Sequence, residues 1–246
     1  FSTHVHVGMP SGDDAMRAMS RLIPALPAFI ALSANSPFWR GYQTGHVAYR
    51  HRILATAPNF GLPTAFSCWA DFVQFYHAAL SCGMIEHFKD IHWDIRPHPD
   101  FGTIEIRTMD AAWDLQSLHA LAAFARALTV CMSRATDGDI RRILPAELPV
   151  WVERENHYRA GRSGLDADYI FDEDGRHRPI RGLIDDLIAL CAPVAEEIGE
   201  SKGLGLAREI LDGRAGYSAQ IDTFSATDST QAVTAELVKQ LQHSHD

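Results

Sequence analysis

The stretch His92-Trp93-Asp94-Ile95-Arg96-Pro97-His98-Pro99-Asp100-Phe101-Gly102-Thr103-Ile104-Glu105-Ile106-Arg107-Thr108 decides the fold. Two segments, His92 to Arg96 and Thr103 to Thr108, alternate polar and apolar residues with the two-residue period of a strand. Between them, Pro97 to Gly102 has the composition of a wide turn, so the two segments are expected to pair antiparallel. Alternation sets Ile104 and Ile106 on one face, with Thr103, Glu105 and Arg107 on the other. By the same rule His92, Asp94 and Arg96 share a face, backed by Trp93 and Ile95.

Further upstream, Thr3-His4-Val5-His6-Val7-Gly8-Met9 alternates again. His4 and His6 leave one side of this segment, Val5 and Val7 the other. Two imidazoles on one strand face suit a metal or phosphate site, but they also suit a pair of core histidines, and the spacing alone does not choose. A half-exposed sheet with a Glu105–Arg107 ion pair worth under ~1 kcal/mol is the bland alternative. Three segments with charged or imidazole groups on one face point instead to a lined funnel. His and Glu there could meet a divalent cation, and arginine forks could clamp phosphoryl oxygens.

The remaining chain reads mostly as helix. Ser11-Gly12-Asp13-Asp14 supplies an N-cap and first-turn acids for a helix over 13–23, and the apolar stretch runs on past Pro24 and Pro27 to Ala34. Residues 35–65 hold Pro37, Gly41, Gly45, Pro58, Gly61 and Pro63 and read as a long ordered loop region, a kind of segment that usually carries function. Helical patterns follow over 69–82, 114–134, 148–161, 180–190, 193–198, 204–211 and 230–242, while Asp172-Glu173-Asp174-Gly175-Arg176 marks a turn between short extended pieces. Strands without regular βαβ alternation, among many helices, predict an α+β fold with an antiparallel sheet flanked by helices.

Composition bounds the function. With 246 residues, 46% hydrophobic and 22% charged, the chain can bury a sizeable core. A net charge of −9 opposes phosphate backbones, so no nucleic-acid partner is expected. No uninterrupted apolar run approaches the ~20 residues of a membrane span, because Pro24 and Pro27 break the stretch from Leu22 to Ala34. Cys68, Cys82, Cys131 and Cys191 form no CxxC pair, which favours a reducing compartment and a cytoplasmic location.

Five collinear segments then carry a family resemblance. His4-Val5-His6-Val7-Gly8 with Ser11-Gly12-Asp13-Asp14, Ala31-Leu32-Ser33-Ala34-Asn35-Ser36-Pro37-Phe38-Trp39, Asp90-Ile91-His92-Trp93-Asp94-Ile95-Arg96-Pro97, Phe101-Gly102-Thr103-Ile104-Glu105-Ile106-Arg107 and Arg159-Ala160-Gly161-Arg162-Ser163-Gly164-Leu165 together resemble the glutamate–cysteine ligase type 2 family. These are bacterial carboxylate–amine ligases with a glutamine-synthetase-like catalytic fold, whose antiparallel sheet forms the active-site funnel. The resemblance implies ATP-dependent formation of a γ-glutamyl amide from glutamate and a small amine such as cysteine, through an acyl phosphate. It implies ATP and Mg²⁺ (or Mn²⁺) as cofactors and a homodimer as the assembly. Residue by residue, His4 and Glu105 match the metal ligands. His6 and Arg107 match positions near the transferring phosphoryl group, Arg96 resembles a further anion contact, and Arg107 and Arg162 are expected at the nucleotide. The basic cluster Tyr49-Arg50-His51-Arg52-Ile53 departs from the family pattern, and its Arg50 is expected either at the bound nucleotide or substrate or as a cover over the loop.

The family also begins with a Glu-x-Glu strand that supplies further metal ligands, and no strand-like segment of that kind precedes Phe1 or occurs later in these residues. Residues 1–246 are therefore expected as a single catalytic domain, the C-terminal two-thirds of the family domain with its N-terminal part absent, ending in a helical tail over 215–246. Two rival readings stand beside the ligase. A non-catalytic nucleotide-binding or assembly module of the same fold would bind nucleotide without turnover, and a metal-dependent hydrolase would work without ATP.

Overall fold

The computed structural model describes residues 1–145, 147–213 and 215–243. In chain order the elements are β1 (Val5–Gly8), α1 (Gly12–Leu22), α2 (Leu26–Ser33), β2 (Phe38–Trp39), β3 (Tyr42–Gln43), α3 (Tyr49–Leu54), β4 (Phe60–Gly61), α4 (Trp69–Ser81), β5 (His92–Trp93), β6 (Ile95–His98) and β7 (Thr103–Ile106). There follow α5 (Leu115–Arg134), α6 (Asp137–Arg141), α7 (Val150–Ser163), β8 (Asp168–Ile170), β9 (His177–Pro179), α8 (Ile180–Glu197), α9 (Ser201–Asp212), α10 (Gly216–Thr227) and α11 (Thr230–His243). The fold is a mixture of helix with small, mainly antiparallel sheets, as the α+β expectation requires.

Among the described residues the largest sheet has the order β1-β7-β6, all antiparallel. The turn between β6 and β7 is a short helical turn over Pro99–Phe101 that ends on Gly102 at φ +61°, a left-handed position that glycine fills without a Cβ clash. Val7, Ile95, Ile104 and Ile106 are buried on the face that packs under α1 and α5. The opposite face carries the polar groups.

The helices owe their ends to local chemistry. Ser11 accepts a hydrogen bond from Asp14 N–H at 3.1 Å, and Asp13 and Asp14 sit where the helix dipole favours negative charge. Asp114 and Ser117 cap α5 reciprocally, each side chain accepting from the other's backbone N–H, at 2.6 and 3.0 Å. Helix α5 then packs against α1, α8 and α9, and the Phe29 and Phe124 rings meet 5.0 Å apart in the core.

Four sequence readings are corrected. Pro193 lies inside a continuous α8 and does not divide two helices, and α6 was not foreseen; the helical tail expected over 215–246 is α10 and α11 as far as His243, residues 244–246 lying outside the described residues. Residues 35–65 are an ordered series of short pieces that includes helix α3. The stretches Gly12–Ser33 and Leu115–Arg134 are both long and apolar enough to cross a membrane, yet most of each is buried as core. Pro24 and Pro27 do not interrupt the first of these, because each sits in the opening turn of its helical segment, where no amide donor is needed. Finally, the run from His92 to Arg96 is two strands, since β5 pairs in parallel with β4 while β6 pairs with β7, and the chain changes partner at Asp94.

Candidate functional site

Cross-strand register assembles the polar face. His6 of β1 and Arg96 of β6 both stand opposite Glu105 of β7, so three strands deliver one side chain each to a single row. His4, just before β1, brings Nδ1 to 3.1 Å from Glu105 Oε1, and His6 Nε2 lies 3.7 Å from the same oxygen. Arg96 Nε donates to Glu105 Oε2 at 2.8 Å. Arg107 Nη1 donates to Glu105 Oε1 and lies 3.4 Å from His4 Nδ1. His4, His6, Arg96, Glu105 and Arg107 are therefore brought together, as the alternation rule anticipates.

Burial alone would push the Glu105 carboxyl up. The hydrogen bonds from His4 and Arg96 and the charges of Arg107 and Arg96 overcome that and hold it well below the usual carboxylate range. His6 is shifted the other way for a histidine that bears a proton: burial lowers its pKa, helped by His98, His4 and Arg96 and opposed by Glu105. His92 is likewise lowered, first by burial and then by Arg107 and Arg96. The face thus presents an anionic carboxylate with two guanidinium groups on it, beside the imidazoles of His6 and His92, whose burial favours the neutral form. Glu105 Oε1 and the nearby His4 and His6 nitrogens are donor atoms of the kinds that ligate divalent cations.

The outer end of the row is aromatic. His6 Nδ1 pairs with Thr103 Oγ1 at 2.9 Å, and its ring lies edge-on to His98 and to Phe101, each at 5.5 Å between centroids. His98 stacks on Phe101 at 4.3 Å, and the exposed Phe101 ring extends this wall toward solvent.

Two of the sequence-selected arginines are placed elsewhere. Arg50 is turned inward: its guanidinium donates to the carbonyls of Arg107, Thr108 and Met109, at 3.4, 3.5 and 3.2 Å, and lies 3.8 Å from Asp110 Oδ1. It anchors the segment after β7 from behind. Asp110 Oδ2 in turn accepts from Asn35 N–H at 2.9 Å and Ser36 O–H at 2.7 Å, and Gln220 of α10 donates to Asn35 O at 3.0 Å. Arg162 is exposed in the last turn of α7, with Nη1 3.3 Å from the Tyr158 hydroxyl.

Asp94 also leaves the expected row, a correction that follows from the partner change between β5 and β6. Its carboxylate meets His51 Nε2 of α3 at 3.1 Å and His157 Nδ1 of α7 at 3.4 Å. These residues line a cavity of about 410 Å³ together with His46, Arg52, Arg154 and Tyr158. Burial opposes ionisation of Asp94, but the two imidazoles more than offset it and hold the carboxyl far below its usual range. The backbone of Asp94 is pinned as well, its N–H donating to Gly61 O at 2.8 Å and its carbonyl accepting from Arg107 N–H at 2.7 Å. No spacing in the sequence links His51, Asp94 and His157. The one available signal was a buried-type helix position occupied by an imidazole in α7.

A sequence profile of glutamate-cysteine ligase family 2 (GCS2) matches residues 1–241. The "Putative glutamate--cysteine ligase 2" of Trichormus variabilis is 44% identical over 97% of this chain and 62% of its own length. The "Putative glutamate--cysteine ligase 2-1" of Frankia casuarinae is 40% identical over 90% of this chain and 57% of its own length. The Leifsonia xyli "Putative glutamate--cysteine ligase 2" is 34% identical over 99% of the chain and 64% of its own length. The chain thus spans roughly three-fifths of the curated relatives it matches. A profile match over nearly every residue, with the His4–Glu105 face built from the matched strands, places the chain in glutamate-cysteine ligase family 2.

Proposed function

We propose that the protein containing this chain is an ATP-dependent carboxylate–amine ligase that forms a γ-glutamyl amide, with glutamate and cysteine as substrates and the cytoplasm as its compartment. The observation that carries this reading is the single carboxylate of Glu105 held between His4, His6, Arg96 and Arg107 on one sheet face. In this reading His4 and Glu105 hold Mg²⁺ or Mn²⁺, which would neutralise charge on the ATP phosphates. Arg107, whose guanidinium meets Glu105 and His4, orients the transferring phosphoryl group, and His6 is held on the same face by Thr103. Arg96 is a positioning residue, since its guanidinium is committed to Glu105, to Lys89 O at 3.4 Å and to the Phe88 ring at 5.1 Å. The glutamate γ-carboxylate attacks the γ-phosphate of ATP to give an acyl phosphate and ADP, and the amine then displaces phosphate.

The test is ADP release by the full-length protein supplied with ATP, Mg²⁺, glutamate and cysteine, with the γ-glutamyl product followed by mass spectrometry. Omitting either amino acid should abolish product. ATP turnover that ignores both amino acids, or nucleotide binding with no turnover, would overturn the ligase reading.

A further inference from the structure

The cluster of His51, Asp94 and His157 lies apart from the Glu105 row and is not used in the mechanism above. Its three residues come from α3, from the junction of β5 and β6, and from α7, and all three are buried. One ligand atom from each lies within 4.8 Å of the other two. The geometry is specific: a single oxygen, Asp94 Oδ2, faces His51 Nε2 at 3.1 Å and His157 Nδ1 at 3.4 Å. Donor atoms around one transition-metal ion at ~2.0–2.2 Å sit about 3.0–3.5 Å apart, which matches both distances.

Hydrogen bonding alone accounts for the cluster less well. A carboxylate that only accepts from two imidazoles is free to use both oxygens, whereas here the two nitrogens converge on one.

We infer that His51, Asp94 and His157 form a binding site for a first-row transition-metal ion, with Zn²⁺ the best-matched species. Two imidazoles and one carboxylate are the donor set such ions prefer over Mg²⁺, which takes oxygen ligands. Three protein ligands leave at least one coordination position. That position opens on the 410 Å³ cavity, where Arg52 and Arg154 on the wall favour an anionic co-ligand. The ion would tie α3 and α7 to the strand junction whose carbonyl holds Arg107 N–H.

The full-length protein, stripped with a chelator and desalted, is titrated with Co²⁺ alone. The expected result is one tightly held equivalent with visible d–d bands of a nitrogen–oxygen shell, displaced by Zn²⁺ in keeping with their affinity order. Asp94→Asn and His157→Leu should each weaken that equivalent by more than about 100-fold, beyond the loss typical of an outer-sphere change. Glu105→Gln should retain it. The wild-type titration stands even if a variant fails to fold. A natively folded wild-type protein that holds no Co²⁺ or Zn²⁺ after desalting overturns the inference. So does an equivalent lost in Glu105→Gln and kept in Asp94→Asn, which would belong to the sheet face. Neither result bears on ligation, which is read from ADP and product.

Discussion

His6 stands directly opposite Glu105 across the β1–β7 ladder, with Nε2 3.7 Å from Oε1. Register alone puts them there, so whatever fixes the pairing of β1 also fixes the distance between an imidazole and the one carboxylate of the face. His4, beyond the strand end, reaches the same oxygen from a position about one-third exposed. Glu105 itself is 3% exposed. The two proposed metal ligands are therefore separable by experiment.

His4→Ala should lower kcat by about 100-fold or more if it removes a ligand from a phosphoryl site, while moving the unfolding midpoint little. Glu105→Gln should do more. It removes the anion that neutralises the buried Arg96 guanidinium and should cost roughly 3–5 kcal/mol of stability besides the activity. Urea denaturation and ADP release on the same preparations give both numbers. Wild-type turnover in His4→Ala would remove it from the metal shell.

Arg107→Lys retains the charge but not the planar guanidinium, whose Nη1 meets both Glu105 and His4. Turnover should fall by about 100-fold, as for other lost transition-state donors, with KM for ATP changed far less. Steady-state kinetics measure the split. Loss of folding with intact specific activity would make Arg107 a structural residue.

Glu153 of α7 is buried with Oε2 unpartnered, and burial pushes its carboxyl up to about 7 from an ordinary 4.5. Below pH 4.5 folded and unfolded chains both hold the proton, and the neutral side chain is tolerated. As the pH rises from 4.5 to 7 the unfolded chain releases a proton that the folded chain keeps, so stability falls with pH. Above 7 the loss is complete and amounts to roughly 3 kcal/mol. Glu153→Gln should flatten this profile and be more stable than wild type at pH 8, as urea midpoints across pH would show. A Glu153→Gln profile with the wild-type slope would assign the slope to other groups.

Gly164 ends α7 at φ +55°, and a Cβ built there would lie 2.8 Å from Tyr217 and 2.9 Å from Val47. Gly164→Ala combines backbone strain with overpacking and should cost roughly 3 kcal/mol or more. Chemical denaturation checks the value. A loss below 1 kcal/mol would mean that Val47 and Tyr217 yield freely.

The polar face was legible because period-two alternation is a local signal: Glu105 and Arg107 declare their side of the strand without knowledge of any partner. Asp94 was not legible. Its position in the alternation matches His92 and Arg96, but strand pairing switches there, and pairing is a property of residues far away in the chain. Arg50 misled for a related reason, since a guanidinium beside other basic residues looks like an anion site until the carbonyls of Arg107 to Met109 are seen to surround it. Pro193 was read as a helix boundary because a missing amide donor usually marks one, yet Leu187, Ile188, Cys191 and Ala195 hold the two halves of α8 on one buried face.

Gln220 clasps Asn35 across 185 residues of chain, and Tyr217 N–H closes on Ala34 O in the same place. Asn35 in turn holds Asp110 in the segment that follows Arg107. On the ribosome, β1, β6 and β7 emerge before α10 and can pair without it, whereas the clasp behind them has to wait until α10 has been synthesised. A nascent chain halted before Tyr217 would carry the whole His4–Glu105 face on an unfastened support. The geometry at Arg107 is therefore completed only once α10 is in place, and a truncation that removes α10 should be felt at the β1-β7-β6 sheet.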